Sequence, residues 1–306
     1  MSSRQLIRIA LALAGVLIVW GLLALSRRGS RDRLASLSLP RVAAADVDSV
    51  VMTHDSVAVH LVRRGKEWEA NGYPAAEASV GEFLASLADS VAPSELVTES
   101  AASHARLGLD SASGRRLQVF SRGTRALDLM VGNHGPGFEG MYLRRTEGVS
   151  AYLTRARYAT FSGRSVEDWR DHRVAVIVPD SVSAVEVSRG KRSYRLMHGK
   201  GWSFAGGGPA DSAAVARFLA GFRVVTASGF PGRAQADSLT FRAPARHVRL
   251  LRTGGSALLS LAFDSTKGGF WVRADSGGTI YRLEAWSADQ LTPADSTFRP
   301  GKKQQK

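Results

Sequence analysis

The chain has 306 residues, enough for about two domains, and 44% of them are hydrophobic, enough to form a sizeable core. The absence of cysteine excludes disulfides, cysteine-ligated metal sites, thiol nucleophiles and a lipid-modified N-terminal cysteine. A formal net charge of +14 taken alone would suit a nucleic acid or an anionic membrane as partner.

The excess positive charge is concentrated at the two ends of the chain. Residues 1–41 hold seven arginines and one aspartate, and residues 299–306 hold four bases and no acid. Between these ends the bases are nearly matched by acids, with no basic helix and no stripe of aromatic residues. We therefore expect no nucleic-acid partner.

Residues 9–26 form an uncharged apolar run of 18 residues, which includes Ile9, Leu17, Trp20 and Leu25. As a helix rising 1.5 Å per residue, this run spans about 27 Å, which is at the short end of the lengths that cross a hydrocarbon core of about 30 Å. Trp20 lies near one end, where aromatic anchors are favoured. The pattern predicts a transmembrane anchor, with the lipid bilayer as its partner.

The anchor has flanking segments and one alternative interpretation. We expect an N-region at 1–8 and a basic juxtamembrane linker at 27–45. Ala24 and Ser26 would suit the cleavage site of a signal peptide, although the apolar run is longer than such peptides usually carry. Arginines stand on both sides of the run, so charge alone does not fix its orientation.

The segment 46–164 has the pattern of a β-rich unit with one helix. Apolar and polar residues alternate in six runs, which predict strands at 47–52, 57–62, 116–121, 126–131, 140–146 and 149–153. Residues 75–91 carry apolar side chains at helical spacing and predict an amphipathic helix. A short strand ending at Trp68 and a corner at 107–109 complete the unit.

The segment 181–298 has the same plan. Its predicted strands are 184–187, 193–197, 247–252, 258–263, 270–274 and 279–283. A helix is predicted at 211–222, with Asp211 as its N-cap. Residues 165–180 form the connector, with a helical turn near 167–171, and residues 299–306 are expected to be a disordered tail.

The two segments also match residue by residue, in order. At an offset of 134, Val51 corresponds to Val185, Val62 to Leu196 and Trp68 to Trp202. The offset becomes 135 at the helix, 132 at residues 127–129 and 129 at Tyr142 and Tyr152. Slow drift with conserved order predicts a tandem repeat. The expected fold class is α+β, an N-terminal transmembrane helix followed by two mainly antiparallel repeats with one amphipathic helix each.

These features together resemble a bacterial family, the domain of unknown function 4340. The resemblance rests on the order of several motifs, namely the apolar N-terminal run, Gly65–Trp68, Phe83–Leu84, Leu107–Leu109, Gly140–Leu143 and Trp169–Arg173. It implies a membrane-anchored protein with an extracytoplasmic repeat region, often encoded beside an ABC-type exporter similar to the gliding-motility transporter. It favours a bacterial inner-membrane, single-pass topology with the C-terminal region in the periplasm.

The sequence offers little chemistry. The glycine-rich loop 132–137 lacks a Gly-Lys-Ser/Thr ending and precedes a strand, so we interpret it as a hairpin or Ω-type loop. The seven histidines show no metalloprotease spacing, and the acids at 167–171 alternate with arginines, as in a structural ion-pair seam. We therefore expect no catalytic residue, no metal, no cofactor and no enzyme activity.

Two functions remain open. The first is a non-catalytic accessory or scaffolding subunit of an ABC-type transport complex, with permease subunits as its membrane partners. The alternative is an envelope module that binds glycan or peptide in a cleft between the repeats, with Trp68 and Trp202 as a binding platform. One large aromatic residue at the same strand end of each repeat is, however, normally a core position.

Overall fold

The computed structural model describes Leu37 and residues 39–88, 94–274 and 277–300. The predicted anchor 9–26, with Ile9, Leu17, Trp20 and Leu25, lies outside the described residues. Three further segments lie outside them as well: the N-region 1–8, residues 27–36 and 38 of the linker 27–45, and the tail beyond Pro300. Within the described part, none of the helices combines the length and the apolar character needed to cross a membrane.

The chain divides into two compact units, and the boundary falls between Trp169 and Arg170. This point lies inside the predicted connector 165–180. Both units are mainly antiparallel sheet with a few helices, which confirms the α+β class.

In the described residues, nine strands build the first unit. They are β1 Val47–His54, β2 Val57–Arg64, β3 Glu67–Ala70, β4 Tyr73–Pro74, β5 Ser94–Thr98, β6 Arg115–Ser121, β7 Thr124–His134, β8 Met141–Arg145 and β9 Ala151–Thr154. All pair antiparallel in one sheet, in the order β4-β3-β2-β1-β6-β7-β8-β9-β5. Every predicted strand is present, whereas β4 and β5 were not predicted.

Three α-helices belong to this unit: α1 Glu77–Ser86, α2 His104–Leu107 and α3 Val166–Trp169. Short 3-10 helices lie at Ala44–Asp46, Ala101–Ser103, Pro136–Phe138 and Arg157–Gly163. Helix α1 is shorter than the predicted 75–91. The Ser86 hydroxyl donates to the Phe83 carbonyl at 2.6 Å, a local bond that competes with helix continuation.

The sheet of the first unit is covered on both faces. On the inner face, α1 and the 3-10 helix Arg157–Gly163 pack over a core that includes Leu61, Leu117 and Leu129. The Phe83 ring lies 5.5 Å from Phe161 and 5.8 Å from Trp169, both edge to face. The outer face carries a smaller cluster, formed by Leu107, Leu109, Met130, Tyr142 and Ala151.

Gly108 makes the approach of α2 to the outer face possible. Its φ of +68° lies in the left-handed region, which ends α2 and turns the chain so that Leu107 and Leu109 both reach the cluster. A Cβ at this position would overlap the Asn133 side chain.

The second unit also contains nine strands. They are β10 Arg173–Ala175, β11 Ala184–Arg189, β12 Arg192–His198, β13 Trp202–Phe204, β14 Val225–Thr226, β15 Arg246–Leu251, β16 Ala257–Thr266, β17 Gly269–Ala274 and β18 Ile280–Glu284. Seven form an antiparallel sheet in the order β13-β12-β11-β15-β16-β17-β18, and β10 pairs with β14 alone. The predicted strands are present here too.

The helices of this unit are α4 Ser212–Ala220, α5 Arg233–Ser238 and α6 Ala285–Leu291, with 3-10 helices at Pro179–Ser181 and Asp295–Phe298. The Asp211 cap is confirmed, because its carboxylate accepts from the Ala213 and Ala214 amides at 2.9 and 3.1 Å. Helices α5 and α6 were not predicted.

Helices cover both faces of the second sheet as well. On the inner face, the Phe218 ring of α4 lies 5.1 Å from Phe222 and 5.3 Å from Phe298. Burial raises the pKa of the Tyr194 hydroxyl, which donates to the Pro293 carbonyl at 2.8 Å. On the outer face, α5 packs on a smaller cluster, formed by Leu239, Phe241, Ala262, Trp271 and Ile280.

The last strand of the second sheet does not end in an open edge. The Ser228 amide donates to the Arg282 carbonyl, and the Arg282 amide donates to the Gly229 carbonyl, both at 2.8 Å. The segment before α5 therefore occupies hydrogen-bonding groups of β18 that a further strand would otherwise use.

Asp128 is the centre of a charged network on the outer face of the first sheet. Its carboxylate accepts from Arg116 at 2.7 and 2.8 Å and from the Thr146 hydroxyl at 2.7 Å, and Arg125 lies 2.8 Å away. Burial opposes ionisation, but the hydrogen bonds from Arg116 and Thr146 outweigh it and lower the pKa of Asp128.

Replacement of Asp128 by Asn should lower the free energy of unfolding at pH 7 by about 1 kcal/mol, because the partly exposed arginines lose a charged partner. A carboxylate whose pKa is lowered in the folded state stabilises the fold at pH values above its pKa in the unfolded chain, near 3.9. This contribution disappears as the pH falls through the pKa of the folded state. The difference from wild type, measured by urea unfolding, should therefore shrink below about pH 4. A difference that stays constant from pH 7 to pH 3 would contradict this.

Candidate interaction site

A groove of about 750 Å³ lies on the second unit, between α4 and α6. Its lining includes Phe218 and Val225 at the floor, and Arg217, Val224 and Trp286 around it. Trp286 is 66% exposed and Val224 is 55% exposed, whereas Phe218 and Val225 are buried. The groove thus presents apolar side chains to solvent above a packed apolar floor.

Local sequence fixes the α4 side of the groove. The Asp211 cap starts the helix so that Ala214, Val215, Phe218 and Leu219 face the core. Arg217 falls on the exposed side of the same helix and lines the groove. In the part of the chain that the structure describes, no ion pair involves Arg217. The α4 side therefore carries a positive charge available to a ligand.

The α6 side follows directly from β18. Ala288 and Leu291 of α6 are buried and fix the helix on the sheet. Trp286 lies on the opposite side of that helix turn and remains exposed. A tryptophan buries a large apolar area when it meets a partner, and Trp286 is exposed beside an apolar groove. Trp286 is the strongest candidate for a contact residue in this unit.

The polar rim of the α6 side is already paired. The Asp289 carboxylate accepts from Arg246 at 2.6 Å and from Arg189 at 3.1 Å. The Arg246 guanidinium also lies 4.3 Å from the Phe270 ring centre. Two arginines share one carboxylate, so this rim adds to the positive charge contributed by Arg217. The groove suits an apolar ligand that carries negative charge.

The two tryptophans proposed from sequence occupy similar positions, each within its own unit. Trp68 is half-buried, packs on the inner core and lies 5.0 Å below the Arg63 guanidinium. Trp202 is half-buried, packs on the core of the second unit and lies 5.0 Å from the His198 ring. Neither lines the groove.

The acids near the connector are engaged locally. The Asp168 carboxylate accepts from the Ser165 amide at 2.8 Å and from the Ser165 hydroxyl at 2.7 Å. Burial disfavours the Asp171 carboxylate, but its bonds from Arg173 at 2.7 and 2.9 Å outweigh this and lower its pKa. Across residues 39–88, 94–274 and 277–300, no group of three or more histidine or acidic side chains is arranged to hold a metal ion.

A family model for a domain of unknown function, DUF4340, matches residues 68–244. The match runs from β3 of the first unit, through the connector, to the segment just before β15, and covers more than half of the chain. The chain belongs to the DUF4340 family. A search of the curated proteins finds no match, and a search of the solved structures finds none.

The DUF4340 match includes Trp68, Trp202 and the α4 side of the groove, but it ends before α6. Trp286 therefore lies outside the part of the chain on which membership rests. Sequence reasoning also missed Trp286, because a single tryptophan in a seven-residue helix gives no periodic signal.

The position of Trp286 predicts a contact residue rather than a core residue. Its replacement by Ala should change the free energy of unfolding by less than about 0.5 kcal/mol, as at most exposed positions. Replacement of the fully buried Phe298 by Ala should cost about 3–5 kcal/mol, because it leaves a cavity beside Phe218. Urea unfolding of both variants measures the contrast, and a loss above 2 kcal/mol for the Trp286 variant would assign this side chain to the core.

Proposed function

We propose that this DUF4340 protein is a membrane-anchored, extracytoplasmic protein without catalytic activity that works through protein–protein contact. Its role is that of an accessory or scaffolding subunit of an ABC-type transport complex similar to the gliding-motility transporter. The observation that carries the proposal is the exposed Trp286 above an apolar groove. Side chains of this kind form the centre of protein interfaces.

The proposed occupant of the groove is an apolar segment of a transporter permease that carries a carboxylate. Val224 and Trp286 provide apolar contact area. Arg217 provides a cation on the opposite wall that is unpaired among the described residues, and the Asp289 rim adds no net negative charge. A carboxylate beside apolar side chains would match this distribution of charge.

The anchor is the second part of the proposal. The apolar run 9–26, with its flanking arginines, supports a single-pass position in a bacterial inner membrane. The family resemblance supports a cytoplasmic N-terminus with both units in the periplasm. Accessory subunits of transporters need such tethering, since it keeps them at high local concentration beside the permease.

We further propose that the two units are copies of one ancestral unit. The order β3-β2-β1-β6-β7-β8-β9 in the first sheet parallels β13-β12-β11-β15-β16-β17-β18 in the second. The outer-face clusters add support, because each member in the first unit has a counterpart 132 or 129 residues later. The pairs are Leu107 and Leu239, Leu109 and Phe241, Met130 and Ala262, Tyr142 and Trp271, and Ala151 and Ile280.

Within this proposal, the burial pattern favours a different offset at the first hairpin from the one used in the sequence comparison. At 134, the half-buried Val51 would correspond to the fully buried Val185. At 135, the buried Val50 corresponds to Val185 instead, and Leu61 to Leu196, which are register partners within each hairpin. A shift of one residue moves a strand's side chains to the other face, so 135 is the offset for this hairpin. The offset of 134 holds from the following turn onward, at Gly65 and Trp68.

The transport-complex role is tested by isolating the full chain from native membranes after cross-linking and identifying the bound proteins by mass spectrometry. We expect a permease or an ATPase of the ABC type with the wild-type chain. Recovery should fall at least tenfold for Trp286→Ala, which removes the apolar contact. It should fall at least tenfold for Arg217→Glu as well, which reverses the charge on the other wall. Arg233→Glu is the matched control, because Arg233 is an exposed arginine on α5, at the other face of the sheet.

Equal recovery from all four chains would exclude the groove as the contact site. Absence of any transporter subunit from the wild-type sample would contradict the transport role itself.

The topology is tested by adding protease to intact spheroplasts. Both units should be digested without lysis, whereas a cytoplasmic marker protein should survive. Protection of the units until the cells are lysed would overturn the periplasmic location.

A further inference from the structure

The loop 135–140, between β7 and β8, carries the most exposed large apolar side chain of the described residues. Phe138 is 82% exposed, with the His134 ring 5.3 Å from its own. The loop lies on the first unit and is separate from the groove. Nothing in the transport role proposed above uses it.

The backbone holds Phe138 outward at a conformational cost. Gly137 and Phe138 have φ values of +66° and +60°, and a phenylalanine rarely adopts the left-handed region. The Gly135 amide closes the loop by donating to the Gly140 carbonyl at 2.9 Å. Arg155 pairs with the Glu139 carboxylate at 2.5 Å and donates to the Glu139 carbonyl at 3.1 Å. These bonds keep the strained conformation with the aromatic ring in solvent.

The N-terminal end of the described chain also lies at this end of the sheet. The Leu37 amide donates to the Ser94 hydroxyl at 2.8 Å, and Ser94 is the first residue of β5. Ser94 pairs with Thr154 of β9, and Thr154 pairs with Met141 of β8. Two pairings of this kind place Ser94 and Met141 about 10 Å apart.

Phe138 belongs to this end as well. It lines a cavity of about 420 Å³ together with Thr154, Met141 and Arg155. Only residues 27–36 separate the apolar run 9–26 from Leu37, and ten residues span at most about 36 Å even when fully extended. The exposed aromatic ring and Leu37, where the described chain begins, are therefore at one end of the unit.

We propose that the Phe138 loop contacts the surface of the bilayer that holds the N-terminal anchor, with the phenylalanine ring at the headgroup boundary. This inference rests on the membrane anchor of the proposed function. Phenylalanine is favoured among the apolar contacts of interfacial segments. Arg27, Arg28, Arg31 and Arg33 in the adjoining sequence favour anionic lipid headgroups. The contact orients the unit, with the 134–141 end toward the membrane and the turn near Val149 away from it.

The absence of native cysteine allows a direct test in the full chain. The chain is reconstituted into vesicles of phosphatidylcholine and phosphatidylglycerol, and single cysteines are labelled with an environment-sensitive nitrobenzoxadiazole probe. Phe138→Cys reports on the loop. Val149→Cys is the matched control, because Val149 is 52% exposed at the opposite end of the β8–β9 hairpin. We expect a blue-shifted probe at 138, quenched by nitroxide lipids at least threefold more than the probe at 149.

A second pair of chains separates the effect of the ring from that of the label. Thr160 is exposed and lines the same cavity, so a probe at Thr160→Cys reports the distance of this end from the lipid. Adding Phe138→Asp to that chain should lower its quenching by nitroxide lipids at least twofold. Unchanged quenching would show that the ring does not hold the unit on the membrane.

The outcomes separate the two proposals. If the full chain does not float with the vesicles, the anchor fails, and this inference fails with it. If the chain floats and the probes at 138 and 149 are equally quenched, the anchor stands and the loop contact is overturned. A blue shift at 138 without quenching by nitroxide lipids would indicate contact with a second copy and would also overturn it.

Discussion

Phe83 and Phe218 are the points at which a helix meets the inner face of each sheet. Each ring packs edge to face against an aromatic side chain from the end of its own unit, Phe161 in the first and Phe298 in the second. Loss of such a ring typically costs about 3–5 kcal/mol, a large part of the net stability of a small domain. Since the segments holding Phe161 and Phe298 follow the last strands, this contact joins the beginning and the end of each unit.

Around this shared frame, the two units differ in a few added elements. The first has a longer β7–β8 loop, which carries Phe138, and the second has α6, placed between β18 and the segment that carries Phe298. Both exposed aromatic candidates, Phe138 and Trp286, lie on these additions. Binding residues commonly lie on segments that a rigid scaffold positions, whereas the scaffold itself serves packing. Our two proposals assign the additions of the first unit to the membrane and those of the second to a protein partner.

Much of the fold was predictable because its strands alternate cleanly. Leu117 and Val119 point to the core between half-buried neighbours, so periodicity identified β6. The Asp211 cap was predictable for a similar reason, since an aspartate before an apolar helix has a local physical role. Strand β5 was missed because only Ser94 is buried in it, and its sequence carries no alternating apolar signal.

The candidate sites could not be predicted in the same way. The groove combines residues of α4 with residues of α6 more than sixty positions later, and concavity has no local sequence signature. Phe138 follows the glycine-rich segment 132–137, which was interpreted as a loop, although residues 132–134 belong to β7 and only 135–137 lie in the β7–β8 connection. Its exposure depends on positive φ values and on the pairing of Arg155 with Glu139. Trp68 and Trp202 were conspicuous in the sequence because they occupy matching positions. Each packs on the core of its own unit, and this packing leaves each of them half-buried.

The occupied edge of β18 has a consequence for how copies of this protein can associate. An uncovered edge strand can pair with the same strand of a neighbouring molecule, which is a common route to fibres and to strand-swapped oligomers. Because Ser228 and Gly229 already bond to Arg282, the second sheet ends within its own chain. Association at this edge is thereby left to side-chain contacts, which can be specific and reversible.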